Sequence, residues 1–269
     1  MKTHQTLFLT IAACLAAQGA LHAQILVSVG GPAATENFNS FGTENVYSLP
    51  SGWKGVMSAT YQATDFSYAS ANLTQTAFND PNPVTRSGLF NLGSGAVPAT
   101  ATDRALGFWV TSGNYTTSKT VVAMAHYRNS GAASINALSI SYDLGKFRFG
   151  NVDSAVDLFY STDGVTWTLL SDFSKQFESD GNFTLITSNT PRNPVTVSGT
   201  YVLPTAIEAD GDFYLAWRYA SNITTNSPTA MGAAIGLDNV SITAIPEPSV
   251  ALLALPAAAL MALRRRKAE

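Results

Sequence analysis

The sequence has a single cysteine, Cys14, in 269 residues. It falls within an N-terminal apolar run, so the chain beyond it carries no thiol. A disulfide framework, a cysteine nucleophile and a thiolate metal site are thereby excluded for the rest of the protein. Histidine is nearly as scarce. Of three, His4 and His22 precede residue 24, which leaves His126 alone. Charged residues make up only 12%. Between Gln24 and Leu263 there are 10 Lys and Arg against 17 Asp and Glu, a net charge of −7, and the basic residues stand singly. No basic stripe exists to follow a phosphate backbone, so nucleic acid is excluded as a partner. No Gly-x-Ser-x-Gly, His-Glu-x-x-His or phosphate-binding loop occurs. No uninterrupted apolar run reaches the ~20 residues of a full membrane helix.

What is present begins at the ends. Lys2 precedes an apolar run from Leu7 to Ala17, and Gly19-Ala20-Leu21-His22-Ala23-Gln24 follows. A basic start, a short apolar core and a small residue at the cut site predict a secretory signal peptide over 1–23, cleaved between Ala23 and Gln24. The alternative for this stretch is a buried N-terminal helix, but no polar face interrupts the run. Ile11-Ala12-Ala13-Cys14 also fits a lipobox, which would make Cys14 a lipidated first residue. Leu15-Ala16-Ala17 continues the apolar core where a lipoprotein has a polar tether. At the other end, Ile245-Pro246-Glu247-Pro248-Ser249 precedes an apolar segment from Val250 to Leu263, and Arg264-Arg265-Arg266-Lys267 follow. At ~1.5 Å per residue that segment spans roughly 21 Å, short of a ~30 Å hydrocarbon core. The basic cluster predicts a cytoplasmic end, which agrees with the orientation set by the signal peptide.

Motif, apolar segment and arginine cluster, in that order, make the tail over 244–269 resemble the PEP-CTERM sorting signal. The resemblance implies transient retention in the inner membrane and cleavage near Pro246, Glu247 and Pro248 by an exosortase, with exopolysaccharide production nearby. Those three residues are then recognised and acted upon; they are not catalysts. Pro256 departs from the usual Gly/Leu-rich segment and breaks a helical hydrogen bond. The competing reading is a plain C-terminal anchor. Localisation at the cell surface or in the extracellular matrix follows from the sorting reading.

Between these ends, Gln24 to Thr243 is long enough for one sizeable domain. Leu138, Ile140, Tyr142 and Leu144 alternate with polar residues, and Phe213, Leu215, Trp217 and Tyr219 lie on one face of Asp212–Tyr219. Ala105–Thr111, Thr120–Tyr127, Ala155–Ser161, Val165–Leu170 and Val195–Leu203 read as further strands. Asn129-Ser130-Gly131, Asp163-Gly164, Asp180-Gly181 and Asp210-Gly211 separate them as turns. Asn79–Val84 and Asn91–Asp103 read as loops. Short strands, Gly/Asp turns, no helical stretch and no fixed repeat predict an all-β two-sheet sandwich over 24–243. Glu36-Asn37-Phe38-Asn39-Ser40-Phe41-Gly42, Leu49-Pro50-Ser51-Gly52-Trp53, Arg104-Ala105-Leu106-Gly107 and Gly236-Leu237-Asp238-Asn239-Val240-Ser241-Ile242 resemble the jelly-roll modules of PEP-CTERM proteins. Members of that group usually have no assigned activity, and distant relatives of the fold include carbohydrate-binding modules.

Few residues offer chemistry. Ser161-Thr162-Asp163-Gly164-Val165-Thr166-Trp167 resembles a sialidase Asp-box one residue short, which is a structural hairpin motif even there. His126 lies within a strand pattern with no acid near it in sequence, which predicts a packing residue rather than part of a relay. Glu178, Asp180, Asp210 and Asp212 are available carboxylates, but no spacing pairs one with another as glycoside hydrolysis requires. The jelly-roll resemblance implies a structural calcium between an early strand and the last, with Glu36 and Asp238 as its ligands; calcium takes hard oxygens of this kind. The alternative is a solvated Glu36 and an Asp238 that caps a bulge. Trp53 follows a turn and is the candidate exposed ring for sugar stacking, whereas Trp109, Trp167 and Trp217 read as core. The expectation is an exported, non-catalytic surface protein associated with exopolysaccharide or binding carbohydrate. The alternative is a secreted glycan hydrolase.

Overall fold

The computed structural model describes residues 24–43, 46–77, 87–94, 100–111, 119–182, 192–223 and 230–245. Cys14, Ala23, Pro246, Glu247, Pro248, the segment 250–263 and Arg264 to Lys267 lie outside the described residues, as does the loop expected over 79–84. Among the described residues there is no α-helix, and hence none long and apolar enough to cross a membrane.

The chain folds into two facing sheets, as the alternation predicted. The front sheet contains β1 (Ile25–Val27), β4 (Trp53–Ser58), β8 (Thr120–Asn129), β10 (Ser154–Ser161), β11 (Thr168–Phe177) and β13 (Asp212–Ser221). Its order is β1-β8-β13-β10-β11, with β4 also paired to β8. The back sheet contains β2 (Ala34–Glu36), β3 (Val46–Ser48), β5 (Gln75–Ala77), β6 (Gly88–Ser94), β7 (Asp103–Trp109), β9 (Ile135–Arg148), β12 (Arg192–Ile207) and β14 (Ala234–Ile245). Its order is β12-β9-β14-β7-β6-β5-β3, with β2 on β14. Pairing is antiparallel except for β1 with β8 and β5 with β6.

Period-2 alternation puts every second side chain between the sheets. Phe213, Leu215, Trp217 and Tyr219 from the front meet Leu138, Ile140, Tyr142 and Leu144 from the back, all buried. Each such apolar side chain contributes roughly 1.5–3 kcal/mol on burial. Trp53, expected at the surface, is instead only 4% exposed and stacks on Trp217 at 5.1 Å. The cause is the strand that follows the turn. β4 pairs with β8 so that Trp53 lies opposite Ala125, an inward position small enough to admit an indole.

Several boundaries differ from the sequence reading. The strand expected from Val165 begins at Thr168, because Asp163 holds the turn through Thr166. Residues 91–94 of the expected loop belong to β6, and β14 runs past Thr243 to Ile245. Trp109 and Trp167 are not in the central core. Trp109 packs with Phe90 and Leu92 on the outer side of the back sheet, and Trp167 packs with Phe66 outside the front sheet. A buried ion pair, Arg218 to Asp157 at 2.7 Å, also fixes the front cover, since Arg218 Nη1 donates to the carbonyl of Gln62.

One irregularity positions the candidate site. On β14, Ile235 and Leu237 face inward, then Val240, Ile242 and Ala244. The register shifts between Asp238 and Ser241, with Asn239 at φ 49°. At this bulge β14 exchanges one neighbour for another: Ile235–Leu237 pair with β7, and Val240–Ile242 pair with β2. The opening motif is thereby brought against the closing one.

Candidate ligand-binding groove

A groove of about 320 Å³ crosses the outer face of the back sheet over β12, β9, β14 and β7. Its floor includes two glycines in register, Gly145 opposite Gly236, and the row continues under Leu92 with Gly107 opposite Gly236. Side chains here would fill the depression. A Cβ on Gly236 would come within 2.4 Å of the Phe147 ring, and one on Gly107 within 2.5 Å of Leu92. Glycine thus lets Phe147 lie down over β14 and Leu92 over β7.

Polar groups stand beside this apolar floor. Thr196, Asp143 and Asp238 are opposite one another on three adjacent strands. Thr196 Oγ1 donates to Asp143 Oδ1 at 2.6 Å, and Asn239 Nδ2 donates to Asp143 Oδ2 at 2.9 Å. The Asn239 backbone N–H donates to Asp238 Oδ1 at 2.7 Å, so Asp238 does cap the bulge. Asp143 and Asp238 form a carboxylate pair that the sequence reading did not name. It was invisible in sequence because the partners are 95 residues apart and face each other only through strand register.

The strands that carry Glu36 and Asp238 pair, with Glu36 opposite Val240 just beyond the bulge. Glu36 is half-buried rather than solvated, and its Oε1 accepts the Phe38 N–H at 2.7 Å. Burial raises its carboxyl above the usual range. Asp238 is pushed up to about 7, by burial first and then by the negative charges of Asp103, Asp143 and Glu36. None of the ion pairs among the described residues involves these four acids. Among the described residues no three His, Cys, Asp or Glu are placed to hold a metal together. A cation here would need amide or backbone oxygens beside the two carboxylates, which is ordinary for calcium.

The remaining candidates lie elsewhere. Asp163 accepts from the backbone N–H groups of Thr166 and Val165 at 2.7 and 2.8 Å and from Ser161 Oγ, with Gly164 at φ 68°. Those hydrogen bonds hold its carboxyl far below the usual range, and the motif is a turn. Asp180 is bound to Lys146 at 2.8 Å, and Asp210 and Asp212 flank Arg128. Glu178 is exposed. His126 does have an acid beside it, contrary to the sequence reading: its Nε2 lies 3.4 Å from Asp212 Oδ1. It is buried and its ring stacks on Tyr214 at 4.3 Å. Phe147 and Asn239, which shape the groove, were missed by sequence reasoning. The one sequence signal for them was the glycine at 236 inside a strand pattern.

No family model matches the chain, and no curated protein does. Solved structures do. The K3 cleaved adhesin domain of Lys-gingipain from Porphyromonas gingivalis w83 is 10% identical, with a TM-score of 0.41, over 80% of this chain and 100% of that one. The K2 cleaved adhesin domain of Lys-gingipain is 16% identical, at 0.40, over 78% and 97%. The CBM22-2 xylan-binding domain from Paenibacillus barcinonensis Xyn10C is 11% identical, at 0.37, over 78% and 98%. Nothing about ligand or activity follows from likeness at this level.

Proposed function

We propose that this is an exported cell-surface domain that binds glycan without cleaving it, in the groove across the back sheet. The carrying observation is the groove itself: a glycine floor with the Phe147 ring laid along it, walled by Thr196, Asp143 and Asn239. A flat apolar ring beside fixed hydrogen-bonding groups suits a pyranose, which has apolar faces and a hydroxyl edge. The lining includes Asp143 and Asp238 and no basic residue, which favours neutral over acidic sugars. Export rests on the signal peptide ending at Ala23 and on the PEP-CTERM-like tail. Pro246, Glu247 and Pro248 are then the motif presented to an exosortase during transient residence in the inner membrane, and exopolysaccharide is the polymer within reach. A calcium ion on Glu36 and Asp238 fits the same reading, since it would offset the crowding of four carboxylates at the β14 bulge.

One observation favours hydrolysis instead. Asp238, raised to about 7, stands opposite Asp143, and unlike environments for two acids are what a glycosidase uses. Against this, both oxygens of Asp143 are already engaged, by Thr196 and Asn239. The deciding experiment is incubation of the purified protein with the host's exopolysaccharide. Retention on the polymer without new reducing ends, lost in Phe147→Ala, is expected. Release of reducing ends that disappears in Asp238→Asn would establish the hydrolase.

A further inference from the structure

The end strands of the two sheets are unequally protected. The front sheet ends on β1 and β11, and the back sheet on β3 and β12. β1 and β3 are three residues each. β11 has a bulge against β10 and carries Asp172 and Lys175. Short length, bulges and charge are the ordinary means of keeping a sheet edge from pairing with another chain. β12 has none of them over Val195–Leu203. Its register with β9 is regular from Val195 to Val202, and no charged residue occurs between Val195 and Leu203. β9 takes one edge of β12, and among the described residues no strand takes the other. Thr196, Ser198 and Thr200 stand exposed on the outer face, and Val202 beside them is 72% exposed. Val195, Val197 and Tyr201 face the core and are only half-buried. Proline has no N–H to give a ladder, so Pro194 and Pro204 close this stretch at both ends. The two prolines are equidistant from Gly199, which is therefore its centre.

We propose that two copies of this chain join along β12 into a two-fold dimer, antiparallel and centred on Gly199, with the back sheets continuous across the contact. That axis sets Val197 opposite the partner's Tyr201 and Val195 opposite the partner's Leu203 on the inner face. The half-buried apolar side chains of each copy then cover those of the other. On the outer face Ser198 meets the partner's Thr200, and Thr196 meets the partner's Val202. A two-fold contact brings two copies of every side chain into one interface, so a charged strand repels itself. Val195–Leu203 carries no charge to repel, which together with the symmetric prolines favours a second copy over a foreign strand. Thr196 lines the groove, so the partner's Val202 adds an apolar lip to its rim. The inference goes beyond the glycan reading and does not depend on it.

The test is sedimentation of the purified mature protein over a range of concentrations. The contact is a single strand pair, smaller than a standard interface, so the protein should sediment as a monomer at ~1 µM and as a dimer by ~1 mM. Growth should stop there, because a two-fold contact along β12 consumes the free edge of both copies. Ser198→Lys with Thr200→Lys puts like charges opposite one another and should weaken the dimer about tenfold. Ser198→Lys with Thr200→Glu sets opposite charges at the same positions and should restore it. Both positions are exposed, and circular dichroism should show the sheets unchanged. A monomer at the highest concentration, association that continues past the dimer, a dimer undiminished by the two lysines, or one that the second variant does not restore overturns the proposal. Should the double-lysine variant fail to fold, Ser198→Cys and Thr200→Cys report the same contact, since the chain from Gln24 on has no other thiol. Mild oxidation of their equimolar mixture should give a mixed disulfide dimer in preference to either variant alone, and its absence overturns the proposal.

Discussion

Stripping divalent cations from the protein should make its stability fall as pH rises from about 4 to about 7, the reverse of ordinary acid denaturation. The group responsible is Asp238, whose folded midpoint near 7 stands above its ordinary 3.8. Between those values the folded state holds a proton that the unfolded chain has lost. The contribution is therefore complete below pH 4, declines through the window and is gone above 7. In a dry site that difference would be worth about 4 kcal/mol. The carboxyl is half-buried, and solvent screens about half of this, leaving ~2 kcal/mol. For a domain of this size Tm should drop by ~4–8 °C across the window. Calcium should abolish the drop by occupying Glu36 and Asp238 in place of the proton. Its affinity should accordingly weaken about tenfold for each pH unit below 7. Thermal melts in chelator and in calcium at pH 5, 6, 7 and 8, repeated on Asp238→Asn, measure all of this. A chelated protein with the same Tm at pH 5 and 8, or a calcium shift that survives in Asp238→Asn, would refute the reasoning.

Three further outcomes are expected. Asp157→Ala leaves Arg218 buried without its partner and should cost ~3–5 kcal/mol, whereas Asp157→Leu with Arg218→Met should recover most of that; thermal melts of the single and double variants decide it. Gly150→Ala places a Cβ 2.3 Å from the Ala233 nitrogen and 2.6 Å from the Gly232 carbonyl carbon, backbone atoms that cannot swing aside, so a loss of ~1–3 kcal/mol should appear in denaturant unfolding. Mass spectrometry of surface material should find an N-terminus at Gln24 and no peptide running from Pro248 to Arg264; an intact Arg264–Glu269 end in that fraction would exclude sorting cleavage.

The sequence by itself determined what depends on near neighbours. Alternation at Leu138–Leu144 and Phe213–Tyr219 put those residues in the core, and Asp163-Gly164 made a turn held by its own backbone, because side-chain period and turn chemistry are local properties. The likeness of the ends to export and sorting signals is read from sequence order in the same way. Tertiary structure alone decided whatever depends on which strand lies beside which. Trp53 followed a turn and read as exposed, yet pairing opposite Ala125 turned it onto Trp217. His126 had no acid near it in sequence, and Asp212 reached it from β13. The strands of Glu36 and Asp238 were expected to adjoin only through resemblance; physically, they do so because β14 takes β2 as a new neighbour beyond the bulge at Asn239. The groove is the strongest case. Gly107, Gly145 and Gly236 lie far apart in the chain, and each alone marks only a missing side chain. Strand register sets them in one row, so that Phe147 can lie over Gly236 and Leu92 over Gly107.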